Sequence, residues 1–510
     1  MITESTARLR DHLYLGSTQS LCPDCLRLVQ AKIVARGPRV YFEKFCPEHG
    51  RRFDFVCSDL RWWDRMEFNV PGREPLLYGT EPARGCPFDC GLCTAHEQHT
   101  CIGLLEITSQ CNLSCPVCYA SSGPGGQHLS LEQCRQAIDR LVAVEGRAEI
   151  LQLSGGEPTI HPQFAEIFAY ACNAAIDLVM INTNGIRLAQ DRAMCEMLAA
   201  LRARCQVYLQ LDGLRGDNTL TLRGEPLLDV KLQAVERLGE YGINTTLVAT
   251  LEAGVNADQI GPLVEFAQSR PWITGVSFQP TTYVGRCPLP DDLERRVTFP
   301  DIIHAIARET QGVWRENDFF PVPCAHPNTH TLAYAFRSKG EVIPITRFVD
   351  IEKHYDLLAN GISLTRHNTR QIVAQLLERE ICGSDCGCFG TGGELADKLP
   401  AVPPVALEDA DGLAGTFFQR AMQEDLSAAD MFRITTTSFM DAFTFDIRQI
   451  IKSCVHQVLP SGHLIPFCAY NLFYRDGNVP LPPLKDGISR ASAHRPVGRS
   501  TALPVVMGDT

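Results

Sequence analysis

The chain predicts an α/β fold: six β-strands joined by helical crossovers and curled into a full or partial parallel barrel. A small metal-binding ribbon precedes it and a less regular region follows. Two observations carry this. Between residues 104 and 280, strand patterns alternate with amphipathic helical ones. The 22 cysteines are unevenly spread: Cys22, Cys25, Cys46, Cys57, Cys86, Cys90, Cys93, Cys101, Cys111, Cys115 and Cys118 all lie before residue 119. At 510 residues the chain is too long for one simple core, and 45% hydrophobic with 21% charged residues is ordinary for a globular protein. A net charge of -12 leaves no cationic excess for phosphates, so no general nucleic-acid partner is expected. No run of about 18 apolar residues predicts a transmembrane helix. The opening "MITESTARLRDHLYLG" lacks an apolar signal core, so a cytoplasmic location is expected. In such a setting, tight cysteine spacings read as metal or iron–sulfur ligands rather than disulfides.

Residues 1–75 form the expected ribbon. "CPDC" and "CPEHG" bracket β-like text with a Gly-Pro turn, "AKIVARGPRVYFEKF", as two ligand knuckles bracket a hairpin. Cys22, Cys25, Cys46 and His49 best fit one tetrahedral iron or zinc ion, with Cys57 as a rival fourth ligand. Residues 76–103 follow as a cluster segment. Cys86, Cys90 and Cys93 repeat a Cys-x3-Cys-x2-Cys spacing, and Cys101 supplies a fourth thiolate, enough to saturate a 4Fe–4S cluster.

The expected core covers residues 104–290. Its strands are "LLEIT", "EILQLSGG", "LVMINTNG", "CQVYLQLDG", "NTTLVATL" and "ITGVSFQP". Between them run the helices "SLEQCRQAIDRLVAV", "HPQFAEIFAYACNAA", "DRAMCEMLAALRA", "LLDVKLQAVERLGEYG" and "ADQIGPLVEFAQS". Ser130 with Gln133 makes a capping box for the first, and Gly242 ends the fourth. Residues 291–480 read as a less regular region and 481–510 as a flexible tail.

The second cysteine triplet differs from the first in context. Cys111, Cys115 and Cys118 sit just past the first core strand, at the rim where barrel chemistry is done. Three thiolates on a cubane leave one iron open to an outside ligand. The next strand ends in "SGGEPT", whose glycines admit close backbone approach while Glu157 offers a carboxylate.

"CNLSCPVC" followed by "GGEP" on the second strand resembles the radical S-adenosylmethionine (SAM) superfamily over residues 104–280. The resemblance implies a partial (βα)6 radical SAM barrel. SAM would chelate the open iron, and reductive cleavage would yield a 5′-deoxyadenosyl radical that abstracts hydrogen from an unactivated C–H bond. It further implies that Gly155, Gly156 and Glu157 meet the SAM amino group. Asn182, Thr183, Gln210 and Asp212 would lie near its ribose or carboxylate, and Thr250 with the "FQP" of 278–280 near its adenine. Where many members have an aromatic residue before the third cysteine, this chain has Val117, with Tyr119 just after.

The succession of ribbon, "GCPFDCGLC", radical SAM core, "VPCAHP" and "SGHLIPFCAYN" looks like the tetraether lipid synthase family and its bacterial relatives, over most of residues 15–475. That resemblance implies a rubredoxin-like metal site, one or two auxiliary 4Fe–4S clusters and a C-terminal auxiliary-cluster domain. Ligands for the last are sought among Cys382, Cys386, Cys388, Cys454 and Cys468, with Cys324 as a further candidate. It implies radical C–C bond formation on an apolar, lipid-like substrate, reached from the membrane surface, with a ferredoxin- or flavodoxin-type reductant. Methylation of a pterin-type small molecule is the alternative within the family, and a non-catalytic electron carrier the alternative outside it. Intact Cys111, Cys115, Cys118 and GGEP argue against the carrier.

Overall fold

The computed structural model describes residues 11–361, 366–382, 412–485 and 487–489. The ribbon is a four-stranded antiparallel sheet of β1 (Leu13–Leu21), β2 (Leu28–Arg36), β3 (Arg39–Cys46) and β4 (Gly50–Cys57), in that order. Gly37 and Pro38 make the expected turn: Arg36 pairs with Arg39, and Gly37 takes φ +57°, which glycine adopts without strain. The ribbon is anchored to the body by Lys44. Its buried ammonium pairs with Asp54 at 2.9 Å and donates to the carbonyls of Ala442 and Phe443. A buried charge needs such a complete set of partners.

After β5 (Leu77–Tyr78) come the six predicted parallel strands: β6 (Ile102–Thr108), β7 (Ala148–Gly155), β8 (Ile176–Thr183), β9 (Cys205–Gln210), β10 (Thr245–Leu251) and β11 (Ile273–Pro280). They are neighbours in sequence order. Their outward residues, such as Leu151, Val179, Val207 and Leu247, are fully buried in one core with the crossover helices. The helices lie where the pattern puts them, at Leu131–Glu145, Phe164–Asn173, Arg192–Ala200, Leu228–Glu240 and Ile260–Gln268. Ser130 and Gln133 close the capping box. The fourth helix stops at Glu240, two residues before Gly242. A helix at Gly216–Arg223 has no counterpart in the sequence prediction. It is nearly without amphipathic bias, so periodicity cannot reveal it.

The region after residue 290 does not stand apart. It supplies β12 (Phe320–Pro321), β13 (His330–Ser338), β14 (Glu341–Pro344), β15 (Met431–Thr437), β16 (Val455–Val458) and β17 (Leu464–Pro466). β15 runs parallel to β11, and β16 parallel to β6. The predicted six strands therefore become eight parallel ones, which removes the unpaired backbone edges that a bare six-stranded sheet would expose. The start of the expected tail is also tied down: β18 (Ile488–Ser489) pairs with β5.

Candidate functional site

The inward side chains of the parallel strands line a cavity of about 290 Å³. Cys111, Cys115 and Cys118 reach it from the loop after β6. Backbone bonds brace this loop: Cys111 N–H donates to the Gly123 carbonyl at 3.0 Å, and Cys118 and Arg286 exchange bonds of 2.7 and 3.0 Å. The Arg286 guanidinium donates to the carbonyls of Cys115 (2.6 Å) and Ser122 (2.7 Å). Burial pushes the Cys111 thiol up to about 12 and raises that of Cys115. Bare thiolates are thus disfavoured here, and positive charge from a bound metal centre would be needed to hold them.

The end of β7 explains its glycines. A Cβ on Gly155 would lie 2.0 Å from the Thr108 carbonyl oxygen, and one on Gly156 would lie 2.2 Å from that of Gln110. Both glycines therefore let the second strand press against the cysteine loop, and both also face the cavity. Glu157 departs from expectation. Its buried carboxylate accepts from Thr159 (N–H 3.1 Å, hydroxyl 2.6 Å), the Thr183 hydroxyl (2.8 Å) and the Asn184 N–H (2.8 Å). It tethers the ends of β7 and β8 and does not line the cavity. Asp212 departs in the same way. It is fully buried and grips Arg223 in a bidentate pair at 2.6 and 2.7 Å, so it is Arg223 that lines the cavity.

Asn182, Thr183, Gln210 and Thr250 do face the cavity. Asn182 donates to Gln152 and Ser154, and Lys231 donates to the Gln210 side chain at 3.2 Å. Burial lowers that ammonium to about 8. Arg223 and Arg286 were missed by sequence reasoning because no motif marks them. The aromatic surface beside Tyr119 comes from Phe467, at 5.1 Å between ring centroids, and from Phe439 beyond it. Both are supplied by the C-terminal region.

In the ribbon, the ligand atoms of Cys22, Cys25, Cys46 and His49 all lie within 4.8 Å of one another. His49 Nδ1 is 3.5 Å from both Cys22 and Cys46 sulfurs. Cys57 is outside this group. It is fully buried, its thiol bonds the Asp59 carbonyl at 3.4 Å, and burial pushes it up to about 12.

The expected four-thiolate set of Cys86, Cys90, Cys93 and Cys101 is split. The first three share a loop pinned by Asp89, which accepts from the N–H groups of Ala83, Arg84 and Gly85, and by Tyr474, whose hydroxyl donates to the Pro87 carbonyl. Cys101 instead joins Cys324 and Cys454, all buried and mutually within 4.8 Å, with 3.3 Å between the last two sulfurs. The reason is topological: Cys101 precedes β6 and Cys454 precedes β16, and these strands are parallel neighbours. His99 Nε2 lies 3.4 Å from Cys101. Cys468 is separate: it accepts from the Met440 N–H at 3.2 Å and lines the cavity. Cys382 ends a helix, while Cys386 and Cys388 lie outside the described residues.

A parallel barrel with this cysteine triplet in its first loop and a Gly-Gly end to its second strand is the architecture of a radical SAM enzyme. The Radical SAM superfamily profile matches residues 105–267, so the chain carries a radical SAM domain. Residues 14–58 match the HMPTM N-terminal zinc ribbon domain. Along almost its whole length the chain is similar to 7,8-dihydro-6-hydroxymethylpterin dimethyltransferase of Methanocaldococcus jannaschii, 29% identical over 90% of this chain and 94% of the relative. It is also 30% identical to mycofactocin maturase MftC of Mycolicibacterium smegmatis, over 32% of this chain and 40% of the relative. Streptococcus suis SuiB bound to the precursor peptide SuiA matches with a TM-score of 0.35 and 18% identity, over 43% of this chain and 47% of that one, a likeness too loose to bear on function. The relative spanning the chain carries a pterin name, not the lipid-synthase name expected from the sequence. The enzyme uses a 4Fe–4S cluster and SAM, and its remaining cysteine groups fit a ribbon metal and auxiliary clusters. No helix of the described residues is long and apolar enough to cross a membrane.

Proposed function

We propose that this enzyme activates a C–H bond of a pterin-class small molecule, in the course of methylating it, within the barrel cavity. The observation that carries this reading is the similarity to the pterin dimethyltransferase along nearly the whole of both chains. The cavity, about 290 Å³, is of the order of small-molecule pockets, which run to roughly 300–1,000 Å³. In this proposal Cys111, Cys115 and Cys118 hold the SAM cluster, whose bound SAM supplies a 5′-deoxyadenosyl radical after one-electron reduction. Gly155 and Gly156 shape the chelating end, and Asn182, Thr183, Gln210 and Thr250 offer polar contacts to SAM. Arg223 and Arg286 keep the loop closed and balance charge. Glu157 and Asp212 act as positioning residues. Cys86, Cys90 and Cys93 hold one auxiliary centre, and Cys101, Cys324 and Cys454 another.

The test uses anaerobically reconstituted enzyme, SAM, a flavodoxin-type reductant and deuterated 6-hydroxymethyl-7,8-dihydropterin. The wild type should form 5′-deoxyadenosine carrying deuterium from the pterin. Alanine at Cys111, Cys115 and Cys118 together should abolish 5′-deoxyadenosine. Abundant product from that variant would overturn the cluster assignment, and unlabelled product from the wild type would overturn the pterin reading.

A further inference from the structure

Three arginines reach the barrel cavity, and no aspartate or glutamate lines it. Two of the arginines are accounted for, since Arg223 pairs with Asp212 and Arg286 is spent on loop carbonyls. Arg433 forms no ion pair with a carboxylate among the described residues. It lies on β15, directly opposite Gly275 of β11 and Tyr334 of β13. A Cβ at Gly275 would stand 2.4 Å from the Arg433 carbonyl oxygen and 3.3 Å from its Cβ, so only glycine clears the strand beside this side chain.

The surroundings of Arg433 are rich in donors. Tyr334 and Tyr208 also line the cavity, and the guanidinium acts electrostatically on both. Burial raises both phenols above their ordinary range, so they keep their protons and can donate. A guanidinium fork flanked by hydroxyl donors, with no carboxylate lining the cavity and Glu149 acting on Tyr334 only from outside that lining, is a receptor for an oxyanion. Its depth is also set by the fold. Arg433 pairs near the start of β11, whereas Thr435 and Thr437 step from it toward the strand ends where the cysteine loop sits.

We propose that Arg433, with Tyr334 and Tyr208, binds a carboxylate or phosphate of the substrate in the lower half of the barrel, directing the rest of the molecule toward Cys111, Cys115 and Cys118. The substrate is then bound best as an anionic derivative, the neutral pterin being a weaker ligand that can still react. This rests on the reading of the cavity as the substrate chamber of the radical SAM enzyme and deepens it.

The test is calorimetric titration of the full-length, cluster-loaded protein, saturated with SAM, using pyrophosphate and malonate as oxyanion probes. Neutral 6-hydroxymethyl-7,8-dihydropterin is titrated in parallel. At least one oxyanion should bind the wild type, and the tighter of the two identifies phosphate or carboxylate as the source. Arg433→Gln should weaken that binding by about tenfold or more, Arg433→Lys should restore part of it, and Tyr334→Phe should weaken it by about threefold. Iron content equal to the wild type certifies each variant as folded, and if Arg433→Gln fails this check the Lys and Tyr334→Phe variants carry the comparison. Absence of oxyanion binding, or binding unchanged in the variants, overturns the proposal. So does a variant that only shifts a cluster midpoint potential, since the guanidinium would then serve the thiolates near Cys454. If Arg433-dependent oxyanion binding occurs without any pterin binding, the anchor stands and the pterin reading falls.

Discussion

Four side chains at the ribbon tip and one just outside it show how far residue types alone can be read. Two cysteine–x2–cysteine-like knuckles bracketing a hairpin bring Cys22, Cys25, Cys46 and His49 together because the turn at Gly37 sets the register of β2 on β3. Cys57 is equally close in sequence but ends β4 with its thiol turned into the core. His49→Ala should therefore cost about one metal ion per chain, while Cys57→Ala should keep it, as measured by metal analysis of the full-length protein. The opposite pattern would make Cys57 the fourth ligand. Glu157 and Asp212 teach the converse lesson. A carboxylate in a motif invites a ligand role, but a fully buried one is held by whatever protein donors surround it. Here those are Thr159, Thr183 and Asn184 in one case and Arg223 in the other.

At the scale of elements, the core strands and helices are legible because each has one dry face and a regular period. The Ser130 capping box could be read directly from four residues of sequence. The junction of β6, its cysteine loop and the end of β7 is a packing unit whose tolerance is set by two missing Cβ atoms. Gly156→Ala places a methyl group 2.2 Å from the Gln110 carbonyl oxygen, which is backbone and cannot swing away. The displacement falls on Cys111, the next residue. SAM cleavage should drop by about a hundredfold, the order expected when reacting groups are misplaced by about 1 Å. Quantifying 5′-deoxyadenosine checks this, and near-normal yield would show that the loop can yield without consequence. The strand at Met431–Thr437 alternates between buried and half-buried positions, but it went unread in the sequence, where its partner β11 lies far back.

At the scale of the molecule, the chain returns to its own barrel. After leaving β11 it comes back as β15 on one edge and β16 on the other, which carries Arg433, Phe439, Cys454 and Phe467 to the cavity of the preceding core. This return also reassigns Cys101. With this grouping, serine at Cys101, Cys324 and Cys454 together should remove about four irons, and serine at Cys86, Cys90 and Cys93 should separately remove about four more. Alanine at Cys111, Cys115 and Cys118 should leave about eight irons besides the ribbon metal, as expected of two cubanes. Iron counting on the three variants is the measurement. Should loss of Cys101 alone strip the centre at Cys86 and leave that at Cys324 intact, the original grouping of four neighbouring thiolates holds instead.

What the sequence determined by itself is whatever depends on short spacings and local periodicity: the grouping of Cys22, Cys25, Cys46 and His49 at the ribbon tip, the βα alternation, the cysteine loop and the Gly-Gly strand end that together define a radical SAM enzyme. Such signals survive in one dimension because the atoms concerned are brought together by a turn or a single strand. Only the tertiary structure decided that Cys101 belongs with Cys324 and Cys454, the last two 130 residues apart. It alone decided that Asp212 serves Arg223, and that Arg433 stands in an acid-free cavity. These depend on which strands become neighbours when the sheet edges must be paired, and that outcome is set by the packing of the whole chain rather than by any stretch of it.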